Sequence, residues 1–271
     1  MLRKRIIFTL LYDHGQFMLS RNFRLQKVGD IAWLEKNYNF SHIAFSIDEL
    51  VVLDVSRGER NFSDFCECLK RLTRGCFVPI SAGGGIRNLE QAKELLRSGA
   101  DKIVVNTPVF GDKEFIESLA SEFGKQCVVA SLDLKRSPKD GYVLMVENGT
   151  KAVEGDVKSL FESLKNLPVG EIYLNSMDRD GTGQGYDLNI LELLPEDHPI
   201  PIIMAGGVGN SVHLAEGLNR REVDAVATAH LFNFVGDGLE KARNDLLEQG
   251  KHLAIWPSID QFSSAHLGNT P

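Results

Sequence analysis

The chain has 271 residues, of which 43% are hydrophobic and 25% are charged, and its formal net charge is −7. This composition is typical of a globular protein and excludes a disordered chain, a collagen and a coiled coil. The acidic balance argues against nucleic-acid binding, which requires clustered Lys and Arg. No apolar run reaches the roughly 18 residues of a membrane span, and residues 1–9 are too quickly polar for a signal peptide. We therefore expect a cytoplasmic protein that binds neither nucleic acid nor membrane.

Short β-branched runs alternate with amphipathic segments along nearly the whole chain, which is typical of βα units closing on a parallel sheet. Eight strands are predicted, at residues 6–11, 49–55, 77–81, 102–105, 127–133, 171–175, 201–204 and 224–228. The predicted helices include residues 61–73, 88–98, 112–123, 156–167 and 211–219, several of them beginning at Asn, Asp or Ser. Eight such units in about 250 residues predict an α/β fold, the (β/α)8 TIM barrel. Residues 1–255 are predicted to form this single domain, and residues 256–271 a flexible tail.

An internal repeat supports the barrel. The pattern Pro-Ile-x-x-x-Gly-Gly-x-x-Asn begins at residue 79 and again at residue 201, an offset of 122 residues. The same offset aligns Glu49 with Glu171 and Leu10 with Leu132. The chain is therefore predicted to be two tandem half-barrels. A doubly wound sheet is the alternative, but the glycines do not form its Gly-x-Gly-x-x-Gly pattern.

Cysteine and histidine give no sign of a metal site. Cys66 and Cys68 are separated by one residue rather than by the two of a zinc ribbon, and the seven histidines form no pair four residues apart. Packing is the simpler interpretation for the cysteines. We predict neither a metal nor another cofactor.

Two glycine pairs, Gly84 with Gly85 and Gly206 with Gly207, each follow a predicted strand and precede a helix. Backbone N–H groups at such positions bind phosphate with help from the helix dipole. A tight turn that only requires glycine is the alternative for each pair. Their duplication favours two phosphate sites, and hence a phosphorylated small-molecule substrate. Further donors are predicted at the ends of neighbouring strands: Asn106, Thr107, Ala229 and His230.

Acidic residues end three of the predicted strands or follow them. Asp133 closes the fifth strand, and partial burial at a barrel mouth can raise its pKa towards neutrality, so it is the predicted general acid or base. A cap for the next loop is the alternative. After the sixth strand, Asp180 is predicted to act on the substrate beside a phosphate that Gly181 and Thr182 bind, unless these residues form only a surface turn. Asp54 is predicted to orient other groups.

Together these motifs resemble the cyclase subunit of imidazole glycerol phosphate synthase (HisF-like), the histidine-biosynthesis barrel that receives ammonia from a glutaminase. The resemblance extends over nearly the whole chain. Its most specific part is the run Asp-Arg-Asp-Gly-Thr at residues 178–182, followed by Gly-Tyr-Asp at residues 185–187. The Gly-Gly-Gly loop at residues 83–85 also occurs in the family's isomerase relative.

The resemblance implies a heterodimer with a glutaminase and an ammonia gate, a ring of charged residues at the bottom of the barrel. The matching residues here all stand at the starts of predicted strands. A purely structural salt-bridge plug is the alternative, since unpaired charges inside a barrel end are costly. The ring comprises Arg5, Glu49, Lys102 and Glu171.

The chain departs from the family pattern at the predicted catalytic residues. The family uses an acid at the end of the first strand, a lysine in the first loop and an acid at the end of the fifth strand. Asp133 matches the last of these, whereas Leu11 and Leu19 occupy the other two positions. Loss of one general acid–base group typically costs about 10²- to 10⁴-fold in rate. Asp13 and His14 are candidates to replace the missing acid if the loop bends inward.

Three functions are compatible with these features. The first is an ammonia-dependent, cyclase-type (lyase) subunit of a glutamine amidotransferase complex. In its strictest form, this function is imidazole glycerol phosphate synthesis. The second follows from family relatives encoded beside surface-polysaccharide genes, and is amidation of a sugar acetamido group. The third is a non-catalytic activator of the glutaminase. His230 stands where the family usually has a small hydroxyl residue, which suggests a different anionic group at the second glycine pair.

Overall fold

The computed structural model describes residues 3–38, 43, 45–139, 141–231 and 233–255. The predicted tail at residues 256–271 lies outside the described residues. Strands are numbered in chain order: β1 (Arg5–Asp13), β2 (Gln16–Arg21), β3 (Arg24–Gly29), β4 (Glu49–Asp54), β5 (Ile80–Gly83), β6 (Lys102–Val105), β7 (Val128–Ser137), β8 (Gly141–Val146), β9 (Lys151–Ala152), β10 (Glu171–Ser176), β11 (Ile202–Ala205) and β12 (Ala225–Thr228).

Helices connect these strands and cover the outside of the sheet. The α-helices span Ile31–Asn37, Phe62–Gly75, Leu89–Arg97, Pro108–Gly111, Lys113–Phe123, Val157–Leu164, Ser211–Leu218 and Gly238–Glu248, and 3₁₀-helices span Lys125–Cys127 and Leu188–Leu193. Within the described ranges, no helix is both long and apolar enough to cross a bilayer.

Eight parallel strands close into a barrel in the order β1, β4, β5, β6, β7, β10, β11, β12, with β12 pairing with β1. The predicted (β/α)8 TIM barrel is thus confirmed, and its strands are those predicted from the sequence. Two barrel strands differ in their bounds by three or more residues. β7 extends to Ser137 instead of ending at Asp133, and the third barrel strand, predicted at residues 77–81, begins only at Ile80 as β5, with Phe77 81% exposed in the segment before it.

Apolar side chains of the barrel strands pack on both faces of the sheet. Along β1, Ile6, Phe8 and Leu10 join the cluster beneath the helices, whereas Ile7 belongs to a separate cluster inside the barrel. This alternation follows from the two-residue period of a strand. Burial on both faces explains why the strands read as continuous hydrophobic runs in the sequence.

Two antiparallel ribbons, which were not predicted, extend the barrel beyond its mouth. The first ribbon is β2 with β3, paired to β1, and the second ribbon is β8 with β9, paired to β7. The turn into the first ribbon contains His14 and Gly15 with φ of 46° and 79°, the positive values that a two-residue hairpin turn requires. Three barrel strands separate β1 from β7 on each side, so the ribbons face each other across the mouth.

The repeat also preserves the starts of two helices. Asn88 caps Leu89–Arg97 by accepting a hydrogen bond from the Gln91 N–H at 2.9 Å, and Asn210 caps Ser211–Leu218 by accepting from the His213 N–H at 3.0 Å. Each cap follows a glycine pair by the same spacing, so both half-barrels direct a helix N-terminus towards the mouth in the same way.

Candidate active site

The carboxyl ends of the barrel strands surround a pocket of about 450 Å³. Active sites of (β/α)8 barrels lie at this face, and the volume suits a small ligand. Most of the predicted site residues line it, including residues more than 100 positions apart in the sequence. They are Gly84, Gly85, Asn106, Thr107, Asp133, Asp180, Gly181, Gly206, Gly207, Ala229 and His230.

Thr182 differs from these residues because it is not part of the pocket lining. Its hydroxyl donates to the Arg179 carbonyl at 2.7 Å and accepts from the Gln184 N–H at 3.4 Å. In this conformation Thr182 closes the turn of its own loop.

Asp133 lies on β7 between two side-chain amides, one from the neighbouring β10 and one from the residue just after the neighbouring β6. The side chain of Asn175 donates to its Oδ1 at 2.9 Å, and that of Asn106 donates to its Oδ2 at 3.2 Å. Burial raises the pKa of Asp133 to about 7; the Asn175 hydrogen bond opposes this shift and the charge of Asp180 adds to it. A carboxyl with this pKa can hold or release a proton near neutral pH, as a general acid or base must.

Asp180 holds the first ribbon against the loop after β10. Its Oδ2 accepts from the Phe23 N–H at 3.0 Å and from the Ser20 hydroxyl. Burial raises the pKa of Asp180, against the effect of these hydrogen bonds. The next residue, Gly181, has a φ of 65°, and a Cβ there would lie 1.9 Å from the Ser20 carbonyl oxygen. This junction therefore has a structural role in shaping the pocket.

The two glycine loops require glycine for steric reasons as well. Gly84 has a φ of 118°, and a Cβ there would lie 2.2 Å from the Asp54 carbonyl oxygen. Gly207 has a φ of 108°, and a Cβ would lie 2.1 Å from the Gly185 carbonyl oxygen. Only glycine combines this backbone conformation with so close an approach. We call Gly84 with Gly85 the first glycine loop and Gly206 with Gly207 the second.

The end of β1 and the first ribbon contribute an apolar wall to the pocket, comprising Leu11 of β1 and Leu19, Phe23 and Leu25 of the ribbon. Leu11 and Leu19 thus lie in the candidate site but supply no group for proton transfer.

The two candidates to replace the missing acid are at the turn of this ribbon and do not line the pocket. The ring of His14 is hydrogen-bonded to Asp13 Oδ1 at 2.5 Å and to the Glu59 carbonyl at 2.9 Å.

Asp54, predicted to orient other groups, is buried at the end of β4. Its Oδ1 accepts from the Ser56 N–H at 2.9 Å, and its Oδ2 lies 3.7 Å from Arg60 Nε. Three pocket-lining arginines, Arg57, Arg60 and Arg87, were not predicted as site residues. The signal available in the sequence was their position just after the second and third barrel strands.

At the opposite end of the barrel, four charged residues form a closed ring of ion pairs, here called the charged ring. Arg5 Nη1 lies 3.0 Å from Glu49 Oε2, and the Arg5 guanidinium also pairs with Glu171. Lys102 Nζ lies 2.9 Å from Glu49 Oε2 and 2.6 Å from Glu171 Oε2. Burial alone would raise the pKa of Glu171, but Arg5 and Lys102 together hold it below its usual value. Two cations and two anions leave the ring formally neutral.

A hydrogen bond between Thr9 Oγ1 and the Tyr173 hydroxyl, 2.9 Å long, forms part of the pocket floor. Alternation along β1 turns Arg5, Ile7 and Thr9 inward in succession from the charged ring towards the mouth. The apolar cluster that contains Ile7 therefore separates the ring from the pocket floor.

The fold and the pocket define a (β/α)8 barrel with a candidate active site at its C-terminal face. Residues 21–236 match the family described as "Histidine biosynthesis protein". The chain is 46% identical over 264 residues to "Putative imidazole glycerol phosphate synthase subunit hisF2" of Parasynechococcus marenigrum (strain WH8102), covering 97% of this chain and 98% of that protein. The chain therefore belongs to the histidine biosynthesis protein family, and the resemblance predicted from its motifs is confirmed.

Proposed function

We propose that this chain is the synthase subunit of a glutamine amidotransferase complex. Ammonia released by a glutaminase partner enters through the charged ring, crosses the barrel interior and reacts at the pocket with a phosphorylated acceptor. The similarity to a protein named as a synthase subunit supports both the reaction type and the existence of a partner.

The observation that carries the proposal is the position of Asp133, a partly buried carboxyl with a pKa of about 7 inside the pocket. As ammonia adds to an electrophilic carbon of the acceptor, Asp133 takes a proton from the incoming nitrogen and returns it to the departing oxygen. The amides of Asn106 and Asn175 fix the carboxyl in place for both transfers.

The pocket wall favours a second candidate acceptor, the acetamido group of a sugar. Closure of an imidazole ring in this family uses a second acid and a lysine, and Leu11 and Leu19 occupy those positions in the wall. Addition of ammonia to an amide carbonyl with loss of water replaces the C=O double bond by a C=N double bond, and two protons move from the incoming nitrogen to the oxygen, which leaves as water. One acid–base group can serve that reaction, and an apolar wall can receive the methyl of the acetamido group.

The test is reconstitution with the candidate glutaminase, glutamine labelled with ¹⁵N in its amide, and either the histidine-pathway ribonucleotide or an acetamido sugar phosphate. We expect a product that carries ¹⁵N, detected by its mass. Asp133→Asn should reduce product formation by about 10²- to 10⁴-fold while glutamine hydrolysis continues. The control Asp237→Asn changes an exposed acid that pairs with Lys241 and should leave the rate unaltered.

A pH profile separates a catalytic Asp133 from a structural one. Product formation should change with an apparent pKa near 7 in the wild type, and this dependence should be absent from the residual activity of Asp133→Asn. Stimulated glutamine hydrolysis without any product, and without sensitivity to Asp133→Asn, would instead identify the chain as a non-catalytic activator.

A further inference from the structure

His230 lies at the mouth of the barrel beside the position where Leu11 replaces the acid of the family pattern. The strand before it, β12, pairs in parallel with β1 and sets Thr228 level with Phe8. Continued by two residues, this register brings His230 level with Leu10, next to Leu11. His230 and Leu11 both line the pocket. The strand that ends without an ionisable side chain therefore has an imidazole at its side.

The ring of His230 is held in one tautomer by a residue of the following loop. The backbone N–H of Asn233 donates to its Nδ1 at 3.3 Å, and the Asn233 side chain is itself fixed by donating to the Gly209 carbonyl at 2.9 Å. Because an accepting ring nitrogen carries no proton, the proton of the neutral imidazole belongs to Nε2. Among the described residues Nε2 has no hydrogen-bond partner, so it is free to donate to a ligand in the pocket.

The charge of this ring follows from its surroundings. His230 is half-buried, and the burial lowers its pKa, although the charge of Asp180 opposes the shift. At pH 7 the imidazole is thus largely neutral. A neutral N–H donor attracts a doubly charged anion only weakly, but it pairs well with a carbonyl oxygen. This chemistry differs from the phosphate binding that the sequence predicts for His230.

His230 and Asp133 border the pocket from different sides. Asp133 is on β7, and β10 and β11 separate that strand from β12. Asp180, on the loop after β10, affects the pKa of both residues, so both lie within reach of its charge. A carbonyl group bound between β7 and β12 can therefore meet a proton-transferring carboxyl on one side and a hydrogen-bond donor on the other.

We propose that His230 is a catalytic residue whose Nε2–H polarises the carbonyl group of the acceptor. The proposal rests on the proposed function, because it assigns a second group to that reaction. As the lone pair of ammonia forms the new C–N bond, the π electrons of the C=O bond move to oxygen, and the Nε2–H hydrogen-bonds the developing negative charge. His230 keeps its own proton throughout. Asp133 moves two protons, one after the other, from nitrogen to the oxygen, which leaves as water.

Nuclear magnetic resonance tests the state of the ring without any reaction. In the full chain labelled with ¹⁵N in histidine, the resonances of His230 are identified by their loss in His230→Gln. We expect them to show, at pH 7, a neutral ring protonated at Nε2. Protonation at Nδ1, or a ring that is charged at this pH, would overturn the proposal.

Reaction rates test the role of the donor. The proteins receive ammonium salt, without a glutaminase, and either the histidine-pathway ribonucleotide or an acetamido sugar phosphate. His230→Leu should lower kcat by about 10²- to 10³-fold with KM nearly unchanged, because the hydrogen bond strengthens in the transition state. His230→Gln keeps an N–H donor and should recover most of this loss. The control His252→Leu changes an exposed histidine near the opposite end of the barrel and should leave the rate unaltered.

The outcomes separate this proposal from the proposed function. If the wild type forms product and His230→Leu is equally fast, His230 has no catalytic role while the amination stands. Equal losses in His230→Leu and His230→Gln would mean that the ring acts through packing, which also overturns the proposal. A wild type that forms no product overturns both. Thermal unfolding is measured for each variant, and the resonance experiment on the wild type remains decisive if His230→Leu does not fold.

Discussion

Single residues divide the pocket into a side with an ionisable carboxyl and an apolar side. Asp133 brings a carboxyl that titrates near neutrality, whereas Leu11 and Leu19 face the same space with nothing to ionise. In the proposed reaction, proton transfer therefore depends on the carboxyl of Asp133 and on the amides that orient it. Because one residue carries this role, a single substitution of Asp133 can test its protonation state.

The raised pKa of Asp133 has a consequence for stability. A solvated Asp in the unfolded chain titrates near a pH of about 4. Between that pH and 7 the folded state keeps a proton that the unfolded state has lost, so the free energy of unfolding falls as pH rises through this window and is level above it. Asp133→Asn should not show this decrease in the free energy of unfolding. At pH 8 the variant should be more stable than the wild type by about 1 to 2 kcal/mol, a value reduced to account for water in the open pocket.

Urea unfolding of both proteins at a pH of about 5 and of about 8 tests this prediction. The advantage of Asp133→Asn should be smaller at the lower pH. The same difference at both values, or a wild type whose stability does not change across the window, would contradict a raised pKa.

Among the elements, the helices after the two glycine loops depend on their caps. Asn210 accepts from the His213 N–H at 3.0 Å, and this bond satisfies one of the free N–H groups of the first helical turn. Asn210→Ala should lower the free energy of unfolding by about 1 kcal/mol, measured by urea titration. Asp237 provides the control, because it precedes Gly238–Glu248 without a side-chain capping bond. Asp237→Ala should leave stability nearly unchanged, and equal losses in both variants would refute the capping argument.

In the molecule as a whole, the charged ring fixes the bottom of the barrel by connecting four strands. Among the described residues, only Arg5 and Lys102 form ion pairs with both Glu49 and Glu171. Lys102→Met keeps the apolar stem but leaves two largely buried carboxylates with one cation, so we expect a loss of about 1 to 3 kcal/mol at neutral pH. Lys165→Met, which breaks exposed pairs with Glu162 and Asp197, should have little effect.

The pH dependence of this loss has a definite sign. The pKa of Glu171 is held below its usual value by Arg5 and Lys102, so its contribution is present above the unfolded-state value and disappears as pH falls through the folded-state value. The difference between wild type and Lys102→Met should therefore shrink in acid. A constant difference across the acid range would mean that Lys102 acts through packing alone.

The barrel could be predicted from the sequence because its evidence is local and repeated. Strand runs such as Val128 to Asp133 and the 122-residue repeat are visible without tertiary information. The ribbons were missed because β3 is largely polar and partly exposed, so it has no clear strand pattern, and because β9 has only two residues. The arginines were missed for another reason: the direction of Arg60 and Arg87 depends on loop conformation, which periodicity does not report.

Because the two ribbons lie on opposite sides of the mouth, neither half-barrel alone forms the complete pocket. Leu19 and Phe23 of the first ribbon and Asn148, in the turn between β8 and β9, border the same space from opposite sides. A ligand bound between the two ribbons would contact both halves of the barrel, so its binding would also help to hold the halves together. Each half of the chain supplies only one of the two ribbons, so the space between them is bounded on both sides only when the halves are joined.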